Sequence, residues 1–397
     1  MKHIVYSWEL GADLGHILRF LPLAKVFQER GYKITLILRD LTRAQEYLGQ
    51  YNFELLQAPV WNSPVHSAPR PMVSYAEILQ HHGFFESTDL LRTVRAWRSL
   101  FKQLKPDLML FDHAPTALLA SRGLLCSKAS IDDGFSLPPQ QEPLPAFVTE
   151  NPPSTDRIVN SEKIALKAAN RVLKTFGQPE MKTLRSLWEI DERFLCTLPS
   201  LDHYPTRTGE TYWGLIPNEL EGVDPRWPPN GKLKIFAYFK PPFCRFVTTV
   251  SVLAKTGCSV LKFAPQVTEL IVKRYQSDHL KISPSPFCID TVVDQSDLVL
   301  CHSGSGTVSK AIVYGKPLFL APTNREQVMI AQKMANVEAS LTLNDKDSSS
   351  TIQNKLNYLL ENKSFARAAQ QCAQRIKNEQ PDNALKNVFD RCQQLLN

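Results

Sequence analysis

No run of about 18 apolar residues occurs anywhere in the chain, the length a membrane-spanning helix needs. The opening MKHIVYSWELG is too short for a signal-peptide core and is broken by Glu9. The expected location is therefore cytoplasmic, with any membrane contact peripheral and on the inner face. Of the eight cysteines no two form a CxxC pair, and none cluster at zinc-ligand spacing. A disulfide-stapled miniature and a zinc module are excluded, and the thiols read as reduced and mostly buried. Charge of one sign is also scarce: 46 basic residues stand against 39 acidic ones, a formal net charge of +7. Nucleic-acid binders concentrate basic residues and interleave aromatics, and only one helix-length basic stripe is present, so no nucleic-acid partner is expected. Internal repeats and low-complexity tracts are missing. What remains is a chain of 397 residues, 43% hydrophobic and 21% charged, which excludes disorder and collagen-like structure and predicts two domains.

The pattern opens with a short apolar run at residues 3–7, a Gly-containing loop, and a helix with Ile17, Phe20, Leu21, Ala24 and Phe27 on one face, closed by Gly31. KITLIL at 33–38 is a second buried strand, so this is a βαβ unit with a right-handed crossover. Residues 61–89, rich in Pro, Ser and His, read as a long loop over the sheet edge, of the kind that carries ligand contacts. A helix at 90–105 and a strand ending at Asp112 follow. From about 205 to 232 Pro, Gly and Asn accumulate, after which strand-like runs at 233–239, 259–263, 280–282, 298–301 and 317–321 alternate with helices. The predicted architecture is α/β, with two Rossmann-like doubly wound domains facing across a cleft: 1–212, a linker at 213–231, 232–375, and a terminal helix at 376–397 that could pack back on the first domain. Ligands in such sheets sit beyond the carboxyl ends of the strands.

The sharpest stretch is DLVLCHSGSGTVSKAIVYGKPLFLAPTNREQ, residues 297–327. A buried strand leads to His302 and a Gly/Ser-rich turn that opens a helix. Backbone N–H groups from Ser303, Gly304, Ser305, Gly306 and Thr307 are unpaired at such a helix start, and the helix dipole favours a diphosphate. The competing reading is that the small residues only permit tight helix packing. Gly315-Lys316-Pro317 then starts the next strand, and Glu326-Gln327 follow Pro322 at a distance that returns polar groups to the same place.

This stretch resembles the donor-binding segment of nucleotide-sugar-dependent glycosyltransferases of the GT-B fold, the class of the UDP-glycosyltransferases and of the lipid-II-forming N-acetylglucosaminyltransferase. His302, Gly304, Thr307, Gly315, Pro317, Pro322, Glu326 and Gln327 fall in register with its His-x-Gly-x-x-Ser/Thr, Gly-x-Pro and Pro-x-x-x-Asp/Glu-Gln pattern. The resemblance implies that His302 and the turn hold the diphosphate, that Glu326 and Gln327 bind sugar hydroxyls, and that Ser285 and Phe287 lie near the base. One position departs. Where the family carries a Glu for the ribose hydroxyls this chain has Lys310, which cannot accept those hydrogen bonds, so uridine is the expected nucleoside with deoxythymidine as an alternative. Phe263-Ala264-Pro265-Gln266 is similar to another family element but lies too far upstream, and reads as a strand-end turn.

The resemblance extends to Gly15-His16, with Gly11 and Gly15 framing an acceptor loop. Attack of an acceptor hydroxyl on an anomeric carbon is helped by a base within reach, and a histidine near neutrality suits. His16 is the candidate base and Asp112 the carboxylate that orients it, with His113, Asp132 and Asp133 as rivals. The adjacent carboxylates of the DDG at 132–134 point apart on extended chain, so no metal is expected, and no cofactor, the sugar nucleotide being a co-substrate. The helix at 90–105 sets Leu90, Val94, Trp97, Phe101 and Leu104 against Arg92, Arg95, Arg98, Lys102 and Lys105; its apolar face reads as core, with contact to an anionic membrane as the alternative. The expected activity is transfer of a sugar from a nucleotide diphosphate donor to an unidentified acceptor hydroxyl, with inversion. The alternatives are a catalytically silent sugar-nucleotide binding partner, for which Lys310 speaks, and a nucleotide-sugar epimerase.

Overall fold

The computed structural model describes residues 1–11, 15–60, 68–147, 151–217, 222–241 and 243–397. They form two compact units, one of residues 1–198, 204–218 and 381–397, the other of 199–203 and 219–380. Residues 12–14 of the expected acceptor loop, 61–67 of the expected long loop and 218–221 of the expected linker lie outside the described residues.

The first unit is built on six parallel strands: β1 (His3–Trp8), β2 (Lys33–Leu38), β3 (Glu54–Gln57), β4 (Leu108–Asp112), β5 (Ser127–Asp132) and β6 (Glu192–Leu195), in the order β3-β2-β1-β4-β5-β6. Six helices punctuate them: α1 (Gly15–Glu29), α2 (Leu41–Leu48), α3 (Tyr75–Leu79), α4 (Ser87–Leu104), α5 (Pro115–Ser121) and α6 (Thr155–Thr175). The strand order reverses between β1 and β4, and it is at such a switch point that doubly wound sheets bind ligands. Trp8 pairs with Asp112 in register there, so the chain leaving β1 and the last residue of β4 emerge side by side.

The second unit repeats the plan with β7 (Lys234–Tyr238), β8 (Ser259–Phe263), β9 (Leu280–Ser283), β10 (Leu298–Cys301), β11 (Leu318–Leu320) and β12 (Ser340–Thr342), ordered β12-β11-β10-β7-β8-β9. Its helices are α7 (Phe246–Leu253), α8 (Glu269–Tyr275), α9 (Ile289–Asp294), α10 (Ser305–Val313), α11 (Arg325–Asn336), α12 (Ser349–Glu361) and α13 (Lys363–Glu379). Its switch point lies between β7 and β10, where Cys301 pairs with Tyr238. Ile235, Ala237, Val260, Leu298, Leu300 and Phe319, all fully buried, form the centre of its core. The last helix, α14 (Ala384–Leu396), belongs to the first unit, where it packs on α1 with Phe389 and Phe27 ring centroids 5.0 Å apart.

Two of the stretches that differ from the sequence expectation lie beside the first sheet. Residues 75–84, read as loop, form α3 and a single π-type turn over Gln80–Phe84. All five α3 residues are buried, so the segment has no polar face and no 3.6-residue period to betray a helix. In α4 the apolar residues Leu90, Val94, Trp97 and Phe101 are buried, and α4 packs against α5 and α6, so this face is core. Arg98, expected among the solvated charges, is also buried and donates from Nη1 to the carbonyls of Ala120 and Arg122, both at 2.9 Å. Among the described residues no helix is long and apolar enough to cross a membrane.

Candidate active site

In the first unit, His16 is the second residue of α1 and Asp112 ends β4, so the switch point brings residues 96 apart into contact. His16 Nδ1 lies 2.7 Å from Asp112 Oδ1. A carboxylate on Nδ1 fixes the proton there and turns Nε2 into the atom able to accept one. The imidazole stacks on Trp8, with ring centroids 5.2 Å apart. Gly11 packs against its Nε2 edge: φ is +89°, and a Cβ on Gly11 would stand 2.5 Å from His16 Nε2.

Asp112 is fully buried and uses its second oxygen as well. Oδ2 accepts from the Tyr6 hydroxyl at 2.8 Å and from Arg19 Nη1 at 3.0 Å. Burial alone would push this carboxyl up; the charges of His16 and Arg19 and the hydrogen bonds from His16 and Tyr6 outweigh it and hold Asp112 below the ordinary range. Arg19 Nη2 in turn donates to Asp133 Oδ2 at 2.7 Å, and Nη1 stands 3.9 Å from Asp132 Oδ2. Asp132 faces inward, accepting from the Gly134 and Ser136 amides and the Ser136 hydroxyl; burial and the neighbouring Asp133 push it up to about 7. Of the rivals to Asp112, His113 has φ of 43° and is pushed down to about 3 by burial and by the charge of His16. Glu9 makes no part of this network: its carboxylate accepts from the Thr116 amide and hydroxyl and the Ala117 amide at the start of α5, and burial raises it to about 7.

In the second unit, β10 ends at Cys301 and α10 begins at Ser305, with Gly304 as N-cap and no side chain capping the helix. The backbone turns at Ser303, whose φ is 65°, a left-handed conformation in a non-glycine residue. A Cβ on Gly304 or Gly306 would meet nothing within 4 Å. The fold itself therefore does not require glycine at either position, which argues against the packing explanation of the motif. Thr307 is half-buried in the first turn of the same helix.

His302 is placed differently from the expectation that it reaches the diphosphate. Its Nδ1 bonds the Ala321 carbonyl at 2.9 Å and its Nε2 accepts from the Lys240 amide at 2.9 Å, so both ring nitrogens are engaged by backbone. Burial lowers its pKa, which keeps it neutral and in one tautomer. The ring pins the β10 turn to the segment after β7. The sequence reading missed the cations beside it. Burial pushes Lys240 down to about 8, and the fully buried Lys262 donates to the Phe239 and Phe263 carbonyls at 2.7 and 3.1 Å.

Glu326 and Gln327 sit in the first turn of α11, which Asn324 caps by accepting from the Gln327 amide at 2.9 Å. Gln327 Oε1 accepts from the Thr323 amide and hydroxyl at 2.8 and 2.9 Å. Lys310 Nζ pairs with Asp290 Oδ1 at 2.6 Å, and the Tyr314 hydroxyl shares that oxygen at 3.1 Å. Ser285 is exposed, whereas Phe287 is buried edge-on to Phe236 and bridges to Val223, a position that offers no ring face to a base.

Residues 248–386 match the glycosyltransferase family 28 C-terminal domain. No curated protein sequence matches the chain. Among solved structures the chain resembles the glycotransferase of kitacinnamycin (TM-score 0.73, 14% identity, 100% of this chain and 99% of that one). It resembles the glycosyltransferase VinC in complex with dTDP (0.67, 15%, 99% of each chain). The spinosyn rhamnosyltransferase SpnG complexed with thymidine diphosphate is similar as well (0.68, 16%, 98% of this chain and 100% of that one). These likenesses assign the GT-B fold to the two six-stranded units.

Proposed function

We propose, from the premise that this chain is a glycosyltransferase of the GT-B type, that it moves a hexose from a pyrimidine nucleoside diphosphate to an acceptor hydroxyl with inversion. The observation that carries this reading is the 2.7 Å contact between His16 Nδ1 and Asp112 Oδ1. His16 Nε2 takes the acceptor proton as the oxygen attacks the anomeric carbon, and Asp112 stabilises the imidazolium that forms. The departing diphosphate collects its charge at the start of α10, where fixed amide dipoles meet it without reorganisation. No metal or cofactor is invoked. Lys310, tied to Asp290, offers no acceptor for a ribose diol, and two structural neighbours are complexes of thymidine diphosphate, so thymidine donors come before uridine donors.

A thermal-shift series with dTDP, UDP, GDP, ADP and CMP tests the donor half. A ligand at 100 times its Kd stabilises by about 2.7 kcal/mol, so a true donor nucleotide stands out from the rest. Equal, negligible shifts for all five remove the donor reading. His16→Ala tests the other half: transfer should fall by about 10²-fold or more with nucleotide binding intact. Full transfer in that variant sinks the base assignment.

A further inference from the structure

Within the first unit, and among the described residues, the His16 imidazole lies against Asp112 and His113 at the end of β4; Tyr6 on β1 and Arg19 on α1 join it through Asp112, and Arg19 reaches on to Asp132, the last residue of β5, and to Asp133. Among them Arg19 is the unusual member. It stands three residues after His16, so the two side chains share one face of α1. It reaches the same carboxylate by the opposite oxygen: His16 on Oδ1, Arg19 on Oδ2. Its other nitrogen is held by Asp133, so the guanidinium is fixed at both ends rather than swinging to solvent. Orienting an imidazole needs only a carboxylate on Nδ1; a second cation on that carboxylate changes how strongly the pair holds a proton.

We propose that Arg19 is a positioning residue that shares Asp112 with His16 and thereby weakens that carboxylate's hold on an imidazolium, favouring the uncharged, proton-accepting form of the ring. The inference rests on the reading of His16 as the base. A buried aspartate left alone beside a histidine favours the imidazolium, which cannot accept a proton. The Arg19 charge opposes that, both through Asp112 and directly, while Asp132 and Asp133 balance the guanidinium from behind. A raised Asp132, with its oxygens already satisfied by Gly134 and Ser136, limits how much negative charge the turn adds. Arg19 touches no reacting atom in this scheme; it acts through Asp112.

The test uses the full-length protein with labelled histidine, whose His16 signal is identified by its loss in H16A. Titration of that signal is followed by NMR, and the pH profile of transfer is recorded beside it. Arg19→Gln should move both the imidazole midpoint and the acid limb of the rate profile up by about one pH unit, the size expected for removing one nearby charge. Transfer at pH values below the new midpoint then falls about tenfold. Arg19→Lys, which keeps the charge, should restore most of it. Asp133→Asn removes a carboxylate behind the guanidinium and should move the midpoint the other way, so it decides the matter even if Arg19→Gln does not fold. An unmoved midpoint in Arg19→Gln, or a rise in Asp133→Asn, overturns the proposal and makes Arg19 a structural brace. Failure of the base reading looks different: H16A would retain transfer while the NMR midpoint still responded to Arg19.

Discussion

Gly11 and His16 are packed so closely that a single methyl group decides where the imidazole sits. Ala at position 11 would be forced into a left-handed conformation and would press its Cβ on His16 Nε2, the atom assigned to proton transfer. Misplacement of a reacting group by about 1 Å costs about 10²-fold in rate. Gly11→Ala should therefore lose about that much kcat while nucleotide affinity, a property of the other unit, is unchanged; equal losses of both would refute the local explanation. Lys240, whose amide donates to His302 beside the α10 turn, supplies a second residue-level prediction, for the case that its ammonium contributes to the proposed diphosphate site. Because burial pushes its ammonium down to about 8, the charge is present below that pH and disappears above it. Diphosphate affinity measured by calorimetry should fall as pH rises through about 8, with proton uptake on binding, and Lys240→Met should flatten that dependence. The same slope in the variant would remove Lys240 from the account. The pairing of His16 with Asp112 was anticipated because the resemblance at Gly15-His16 pointed to the histidine and Asp112 closes a buried strand run. Tyr6, Arg19 and Lys240 were not, since one lies inside an apolar strand, one inside an amphipathic helix and one in a Pro-rich turn, with no spacing that ties them to a ligand.

Helix α10 shows what a glycine contributes when packing does not ask for it. Gly306 lies in its first turn, and a Cβ there meets nothing. Gly306→Ala should stabilise the second unit by up to about 1 kcal/mol, because alanine loses less backbone entropy than glycine in a helix. It should also weaken nucleotide binding by crowding the approach to the amides. Gains and losses of opposite sign, read from thermal melts without and with nucleotide, separate a ligand-driven glycine from a structural one; a destabilised apo protein would restore the packing explanation. The same division explains which elements could be read in advance. Strands β1, β2, β4, β7, β8 and β10 are apolar runs because both faces of a parallel sheet are covered. Strands β3, β5, β6 and β12 read ELLQ, SKASID, ERFL and SLT, polar or short, and only their pairing with neighbours makes them strands. Helix α3 escaped for the opposite reason: burial on every side, including Glu77 held by Arg157 at 2.7 Å, erased its period.

At the scale of the molecule, the two units keep separate inventories, a histidine–aspartate pair in one and the helix start proposed for the diphosphate in the other, and the chain's last segment belongs to the first. Helix α14 buries Val388, Phe389 and Leu396 there, and Arg391 pairs with Glu192 at 2.6 Å while Ser127 donates to the Leu395 carbonyl at 2.5 Å. Each large apolar side chain is worth about 1.5–3 kcal/mol when buried, so three of them approach the whole stability of an ordinary domain, about 5–15 kcal/mol, even after discounting for a compact unfolded state. A chain ended after Gln380 should therefore lose hydrogen-exchange protection throughout β1, β4 and α1, and with it transfer. The donor nucleotide should still protect β7, β10 and α10, which belong to the other unit. Loss of protection in both units together would show that the second depends on the first for its fold. Protection unchanged in both would show that α14 adds little to the unit it packs on.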